Sequence, residues 1–374
     1  MIDPENLAWI RRHMPLTRAQ CDALPRLDGV RLACSIHLEP KGVLALEAIL
    51  EHGAAVFLTT CNASTVRDEV VEWLAARGAV CPAWRGMSAA DMVESERRAL
   101  AWAPTHLFEM GASLSAAVFA GRADVQVAAA MECTGSGISR LAAFAAAGQV
   151  PRYPIFNCDD VPIKEGLHNR YLVGQSAWQA FTQCTQLSLH RKNVLVVGYG
   201  PVGQGVALTA RALGGTVRVA EKDPARALSA RYDGFPAGPL EELVPGADVI
   251  VTATGAPRVL GARHFDLLAD GCILMNVGHT ADEIETDALG SLRVSIPFVE
   301  EARRGGKTIY LFAGGSMANL TAGQGDTLNS FDITMAAMLA GLRFVFTDKA
   351  RAEPPGLHPM PRAVWEDVAR QAAG

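Results

Sequence analysis

Six residues able to carry a proton fall where the chain leaves an apolar run or enters a polar one. His37 follows the run 29–34, Glu109 ends 105–109, Glu132 follows 125–130, and His279 follows 272–277. Lys164 and His168 stand four residues apart in the polar stretch 154–171. Imidazoles exchange protons near neutral pH, and carboxyls or an ammonium hold or release them beside a reacting group. Polar residues gathered at the ends of successive apolar runs lie where open α/β sheets build their sites. Cys61 and Cys133 read as packing thiols. Asp159 and Asp160 look like half a metal site, but no second cluster supports them, so no metal is expected.

A second constellation binds rather than reacts. The β-branched run 194–197 leads into Gly198-x-Gly200-Pro201-Val202-Gly203, followed by a small-residue helical pattern over 206–213 and a second apolar run, 216–220. Glu221 closes that run, 18 residues after Gly203. Glycines in this arrangement let the backbone approach a pyrophosphate, the helix start holds its charge, and the acid takes the ribose hydroxyls. NAD is expected rather than NADP, because a carboxylate repels a 2′-phosphate, although Lys222 stands beside it. Thr252, Thr254 and Gly255 end the next run and face the same cofactor, as does Gly278 in Asn276-Val-Gly278-His279.

These groups need a scaffold that brings strand ends together. The chain has 374 residues, of which 49% are hydrophobic, enough for two domains with filled cores. Apolar runs at 29–34, 55–60, 78–82, 105–109 and 125–130 alternate with helical patterns, which predicts a parallel sheet with helices on its faces. The expected fold class is α/β, with two doubly wound parallel-sheet domains, the second a Rossmann NAD-binding domain inserted in the substrate domain. Expected bounds are 1–172, completed by 328–374, and 173–327. Residues 1–30 read as an amphipathic helix and a linker, 175–189 as a linking helix, 335–344 as a helix packing back on the first domain, and 354–374 as one short helix. A net charge of −5 gives no basic footprint, so no nucleic acid partner is expected. No apolar stretch is long enough to span a membrane. The eight cysteines form no CxxC pair, and no signal peptide is visible, which fits a cytoplasmic protein.

The chain from Leu32 to about Arg370 resembles the adenosylhomocysteinase (S-adenosylhomocysteine hydrolase) family. The resemblance lies in Ile36-His37-Leu38, Cys61-Asn62, Lys164 with His168-Asn169-x-Tyr171, the glycine loop 198–205, Asn276-Val-Gly278-His279 and Asn319-Leu320. It implies tightly held NAD that removes hydride from C3′ of a nucleoside, so that the C4′ hydrogen becomes acidic and the 5′ substituent is expelled. It further implies Lys164 near the 3′ oxygen, His37 at the 5′ leaving group, and His279, Glu109 and Glu132 as catalytic groups. Thr134, Ser136 and Asn169 would serve the cofactor, and Asn319 its nicotinamide amide. Glu39, Lys41, Asn62, Thr65 and Asp326 would face substrate.

The departures from that family are specific. Its aspartate four residues after the lysine is His168 here, and the histidine of its late Gly-His pair aligns with Asp326. Its cysteine beside the transferred hydride aligns with Val173, its Thr-x-Glu becomes Glu39-x-Lys41, and Glu109 replaces an aspartate. The family's tail, which reaches a neighbouring subunit's NAD, finds no match, so a homodimer and a homotetramer are both expected. The hydride machinery is kept and the substrate-recognising residues are altered. The expectation is a related enzyme acting on another nucleoside, losing water as a dehydratase in nucleoside natural-product metabolism. Hydrolysis of S-adenosylhomocysteine and net dehydrogenation with NADH release are the alternatives.

Overall fold

Strand content follows the apolar runs, with each strand short and most of them buried on both faces. The structure, a computed structural model, describes residues 2–149 and 151–374. Its strands are β1 (Arg31–Ile36), β2 (Ala55–Thr60), β3 (His106–Glu109), β4 (Ala129–Glu132), β5 (Pro154–Asn157), β6 (Asn193–Val197), β7 (Thr216–Ala220), β8 (Ala237–Gly238), β9 (Val249–Thr252), β10 (Ile273–Asn276), β11 (Arg293–Ile296), β12 (Val299–Arg304), β13 (Lys307–Phe312) and β14 (Gly356–Pro359). β3, β4, β5, β9 and β10 are buried at every position, which is why they read as continuous apolar runs rather than alternations.

The chain divides into two compact units, Met1–Lys164 with Leu328–Gly374, and Glu165–Thr327. The first unit holds one parallel sheet in the order β14-β5-β4-β3-β1-β2. Chain order reverses between β1 and β3, so their carboxyl ends flank the switch point where open sheets place ligands. The apolar helix Leu328–Val345 belongs to this unit and is held through its one buried acid. Asp332 accepts the backbone N–H of Leu16 at 2.9 Å and of Thr17 at 2.7 Å, capping the helix Pro15–Asp22.

The second unit's sheet runs β11-β12-β13-β10-β9-β6-β7-β8. Its switch point lies between β6 and β9, the two strands that end in the glycine loop and in Thr252. Unlike the all-parallel sheet expected from sequence, it is mixed: β11, β12 and β13 pair antiparallel. The reason is the two-residue Gly305-Gly306 connection, both φ positive at 55° and 80°, which only an antiparallel hairpin can use.

Other expectations shift for local reasons. Residues 4–22 make two helices, Pro4–His13 and Pro15–Asp22, because Pro15 cannot continue the first; Met1 lies outside the described residues. The run 78–82 gives only an isolated bridge from Val80 to Phe57. The run at 125–130 becomes a strand only from Ala129. In the tail, prolines at 354, 355, 359 and 361 exclude a helix, and the segment instead adds β14 to the sheet edge beside β5, where proline is tolerated. The helix Arg362–Ala373 follows it. Lys164–Leu172 winds as a π-helix, a rare form that gathers at functional sites, before the helix Val173–Thr185.

Candidate functional site

In the first unit, His37 follows β1 directly at the switch point. Its Nδ1 lies 2.8 Å from the Thr65 hydroxyl, which donates to the Asn62 carbonyl, also at 2.8 Å. A hydroxyl whose hydrogen is spent can only accept, so Nδ1 carries the ring hydrogen and Nε2 is the exchanging position of the neutral ring. Asn62 accepts from the Ser64 N–H at 3.0 Å and hydroxyl at 2.7 Å, fixing the turn that presents Thr65. The Cys61 sulfur sits 3.5 Å from Nδ1, but burial pushes its thiol far above the usual range, which keeps it neutral and unreactive. Glu39 and Lys41 pair at 2.9 Å, and the buried Lys41 ammonium lies 5.3 Å from the Phe331 ring centre.

Lys164 is buried against Asp159 in a close ion pair. Burial works against its ammonium, but the charge and hydrogen bond of Asp159 outweigh this and hold Lys164 above its ordinary value. Asp159 is itself fixed by its backbone N–H on Asn157 at 2.9 Å.

Glu109 and Glu132 end adjacent strands in register and are both buried. Glu109 accepts from the N–H of Leu114 at 2.7 Å and of Ser115 at 3.1 Å, and from the Ser115 hydroxyl. Glu132 accepts from the N–H of Gly111 at 2.9 Å, of Ala112 at 2.7 Å and of Thr134 at 2.7 Å, and from the Thr134 hydroxyl at 2.7 Å. Ala112 adopts φ 52°, an uncommon left-handed conformation for alanine, in the loop that gives its N–H to Glu132. Burial pushes Glu109 up to about 7; burial, with the charge of Glu109, pushes Glu132 up to about 8. In this arrangement both acids brace the loops 109–115 and 132–137. Ser136 lies 3.2 Å from the Thr134 hydroxyl in the second of these loops.

The second unit builds a seat mainly from backbone. Gly198 has φ 96°, and a Cβ on it would lie 2.7 Å from the Ala253 carbonyl oxygen; one on Gly203 would lie 2.0 Å from the Gly198 oxygen. A Cβ on Gly200 would meet nothing nearer than Arg226 at 3.7 Å, so this stretch of backbone is open for close approach. Pro201 opens the following helix, Pro201–Ala212, with Val202 and Gly203 in its first turn. Glu221 accepts the N–H of Tyr199 at 2.6 Å and of Asp223 at 2.9 Å, bracing the loop from the tip of β7. Opposite, the buried Glu283 takes the N–H of Thr254 at 2.9 Å, its hydroxyl at 2.8 Å and the N–H of Gly255 at 2.7 Å. A Cβ on Gly278 would overlap that carboxylate at 1.6 Å. Thr252 is wholly buried and donates to Asn276 at 3.1 Å, so its hydroxyl organises the strand ends. His279 is half-buried just beyond β10.

One polar run in this unit joins distant stretches of sequence. His168 Nε2 lies 3.2 Å from Asp326 Oδ2, Ser176 donates its hydroxyl to Asp326 Oδ1, and Asn319 Nδ2 lies 3.3 Å from the Ser176 oxygen. Asn319 Oδ1 is buried with no hydrogen-bond partner. An acceptor left empty in a buried place is costly unless a ligand fills it. With the open Gly200 backbone and Glu221, it fits NAD, whose carboxamide N–H groups are donors. Asn169 lies beside His168 in the π-helix.

Sequence reasoning missed Ser176, Glu283 and the pairing role of Asp159. An acid five residues before Lys164 was visible, but nothing in spacing links Ser176 to Asp326, 150 positions apart. Among the described residues no three His, Cys, Asp or Glu side chains gather to hold a metal ion, and no helix is long and apolar enough to cross a membrane.

Two family models match the chain. The family model described as S-adenosyl-L-homocysteine hydrolase matches residues 11–130, and that of its NAD-binding domain matches 169–325. Adenosylhomocysteinase of Pyrococcus abyssi is 35% identical, with 98% of this chain and 89% of that one covered. S-inosyl-L-homocysteine hydrolase of Methanopyrus kandleri is 33% identical, covering 97% and 88%. Among solved structures, the transhydrogenase from Sinorhizobium meliloti matches with a TM-score of 0.41 at 14% identity, over 84% of this chain and 95% of that one.

Proposed function

The chain belongs to the S-adenosyl-L-homocysteine hydrolase family, and we propose that it transiently oxidises the sugar of a nucleoside at C3′ and eliminates water from the 4′ and 5′ carbons. NAD, which the Gly198–Gly203 loop and Asn319 would hold, would supply a hydride acceptor for C3′ that is restored within each turnover. Lys164, kept charged by Asp159, stands at the 3′ oxygen and stabilises the negative charge that grows there as its proton leaves. The C3′ ketone acidifies the C4′ hydrogen, which an imidazole among His168 and His279 removes. His37, entering as the imidazolium with protons on both ring nitrogens, delivers the Nε2 proton to the 5′ oxygen and is left neutral with its hydrogen on Nδ1. The C4′–H and C5′–O bonds break, a C4′–C5′ double bond forms, and the oxygen leaves as water. The cofactor ends unchanged and the product keeps its double bond. Glu109 and Glu132 act as positioning residues for the loops they brace.

The observation that supports loss of water is His168 on Asp326. Hydroxide is a far poorer leaving group than a thiolate, by about seven pKa units. Its loss needs proton donors near the sugar. His168, its Nε2 held by Asp326, offers Nδ1 to take the C4′ proton, which leaves a second imidazole, His37, to donate to the leaving oxygen.

The names of the relatives favour a second reading, in which the chain hydrolyses an S-nucleosyl-homocysteine. Incubation with S-adenosylhomocysteine, S-inosylhomocysteine and free nucleosides separates the two. The proposal expects an unsaturated nucleoside eighteen mass units lighter by water loss, roughly the mass of one water, from a nucleoside without sulfur. Homocysteine release at a turnover typical of hydrolases sinks it. Accumulating NADH, stoichiometric with substrate, would instead mark a simple dehydrogenase. The working form is proposed to be a cytoplasmic homodimer or homotetramer, which sedimentation resolves.

A further inference from the structure

The run His168–Asp326–Ser176–Asn319 has a direction, and its direction is set by one carboxylate. Asp326 accepts only. Ser176 has a single hydroxyl hydrogen, directed to Asp326 and to the Val173 carbonyl at 3.0 Å, so toward Asn319 its oxygen has only lone pairs to offer. Asn319 must therefore turn its Nδ2 toward Ser176, and Oδ1 is forced to the other side, where it is buried without a partner. The same carboxylate takes His168 Nε2, so the neutral ring keeps its hydrogen there and presents Nδ1 as acceptor. An imidazole at position 326 would be ambivalent: depending on tautomer it would accept from Ser176 or donate to it, and the amide of Asn319 would be free to flip.

We propose that Asp326 and Ser176 are positioning residues that lock the Asn319 amide with its oxygen toward the cofactor's carboxamide N–H, making the seat selective for that donor. The inference rests on the NAD seat and is independent of which nucleoside is turned over.

The test compares NAD with its 3-acetylpyridine analogue, in which a methyl ketone replaces the carboxamide and cannot donate. Binding of each to the full chain stripped of cofactor is measured by equilibrium dialysis, with a melting curve for every variant. The wild-type chain should prefer NAD by about tenfold or more, as expected when a buried acceptor loses its donor. Ser176→Ala and Asp326→Asn free the amide to flip, and the preference should fall to about threefold or less, chiefly through better binding of the analogue. Ser176→Thr keeps the hydroxyl and should keep the preference. Variants that lose affinity for both dinucleotides equally, with the ratio intact, overturn the lock. A wild-type chain that binds neither dinucleotide overturns the cofactor seat itself, and the lock with it.

Discussion

The two units place their charged groups differently. In the second, the seat is made of backbone: glycines at 198, 200, 203 and 278 clear space, and the carboxylates of Glu221 and Glu283 are spent on main-chain N–H groups. In the first, Glu109 and Glu132 likewise brace main-chain loops, but the cations Lys164 and Lys41 are held by side-chain carboxylates, Asp159 and Glu39. A backbone seat serves any ligand carrying the same phosphates, whereas paired side chains must be rewritten for each substrate. The departures at positions 39 and 41 fall where rewriting is the way to change a substrate, and the glycine loop is left intact.

The sharpest way to break this contrast is at the buried pair. Lys164→Met leaves Asp159 as an uncompensated buried charge, which should cost about 3–5 kcal/mol in chemical denaturation and abolish turnover. Adding Asp159→Asn should restore most of the stability and none of the activity, because the loss of charge is repaired but the ammonium is still missing. If the single variant is as stable as wild type, the first unit does not depend on side-chain pairing.

In the second unit the contrast predicts that space, not charge, matters. Gly203→Ala puts a Cβ about 2.0 Å from a carbonyl oxygen and should destabilise by about 1–3 kcal/mol while losing NAD. Gly200→Ala meets no atom nearer than 3.7 Å and should leave the melting temperature unchanged while weakening NAD retention after gel filtration. Equal effects of the two alanines on stability would show that the loop is not shaped for a ligand.

The smallest effect is a pH dependence in the first unit. Glu109 is raised from about 4.5 to about 7 by burial. Below the lower value both folded and unfolded chains hold the proton. Between the two the unfolded chain releases it and the folded chain does not, so stability falls as pH rises and levels off above about 7. Glu109→Gln removes this group's share of the slope, on the order of 2 kcal/mol between pH 5 and 8 in melting curves, and leaves the share of Glu132, which is raised to about 8. A slope unchanged in the variant would place it in other groups.

The same division explains what the sequence made legible. The glycine fingerprint could be read because spacing alone encodes it: strand, loop, helix and acid follow one another within 198–221. His37 and Lys164 were legible through their motifs, but their partners Thr65 and Asp159 acquire meaning only in three dimensions. Asp326 stood out as a departure, yet its bond to His168 joins positions on either side of nearly the whole second unit. The antiparallel β11–β13 edge was hidden because its exposed strand lacks the apolar run that marks the buried ones, β11 being exposed along its length. The tail strand was hidden by its prolines, which argue against regular structure everywhere except a sheet edge.

That tail has a consequence for how the molecule is made. β14, at residues 356–359, is the outermost strand of a sheet whose other five strands lie within the first 157 residues. Residues 165–327 are all synthesised between β5 and the segment that carries β14 and the helix Leu328–Val345. On the ribosome, the cofactor unit is therefore fully translated while the substrate unit still waits for its last strand and its longest helix. During that interval β5 is an open parallel edge, and the newborn chain must be kept from pairing with its neighbours until its own end arrives.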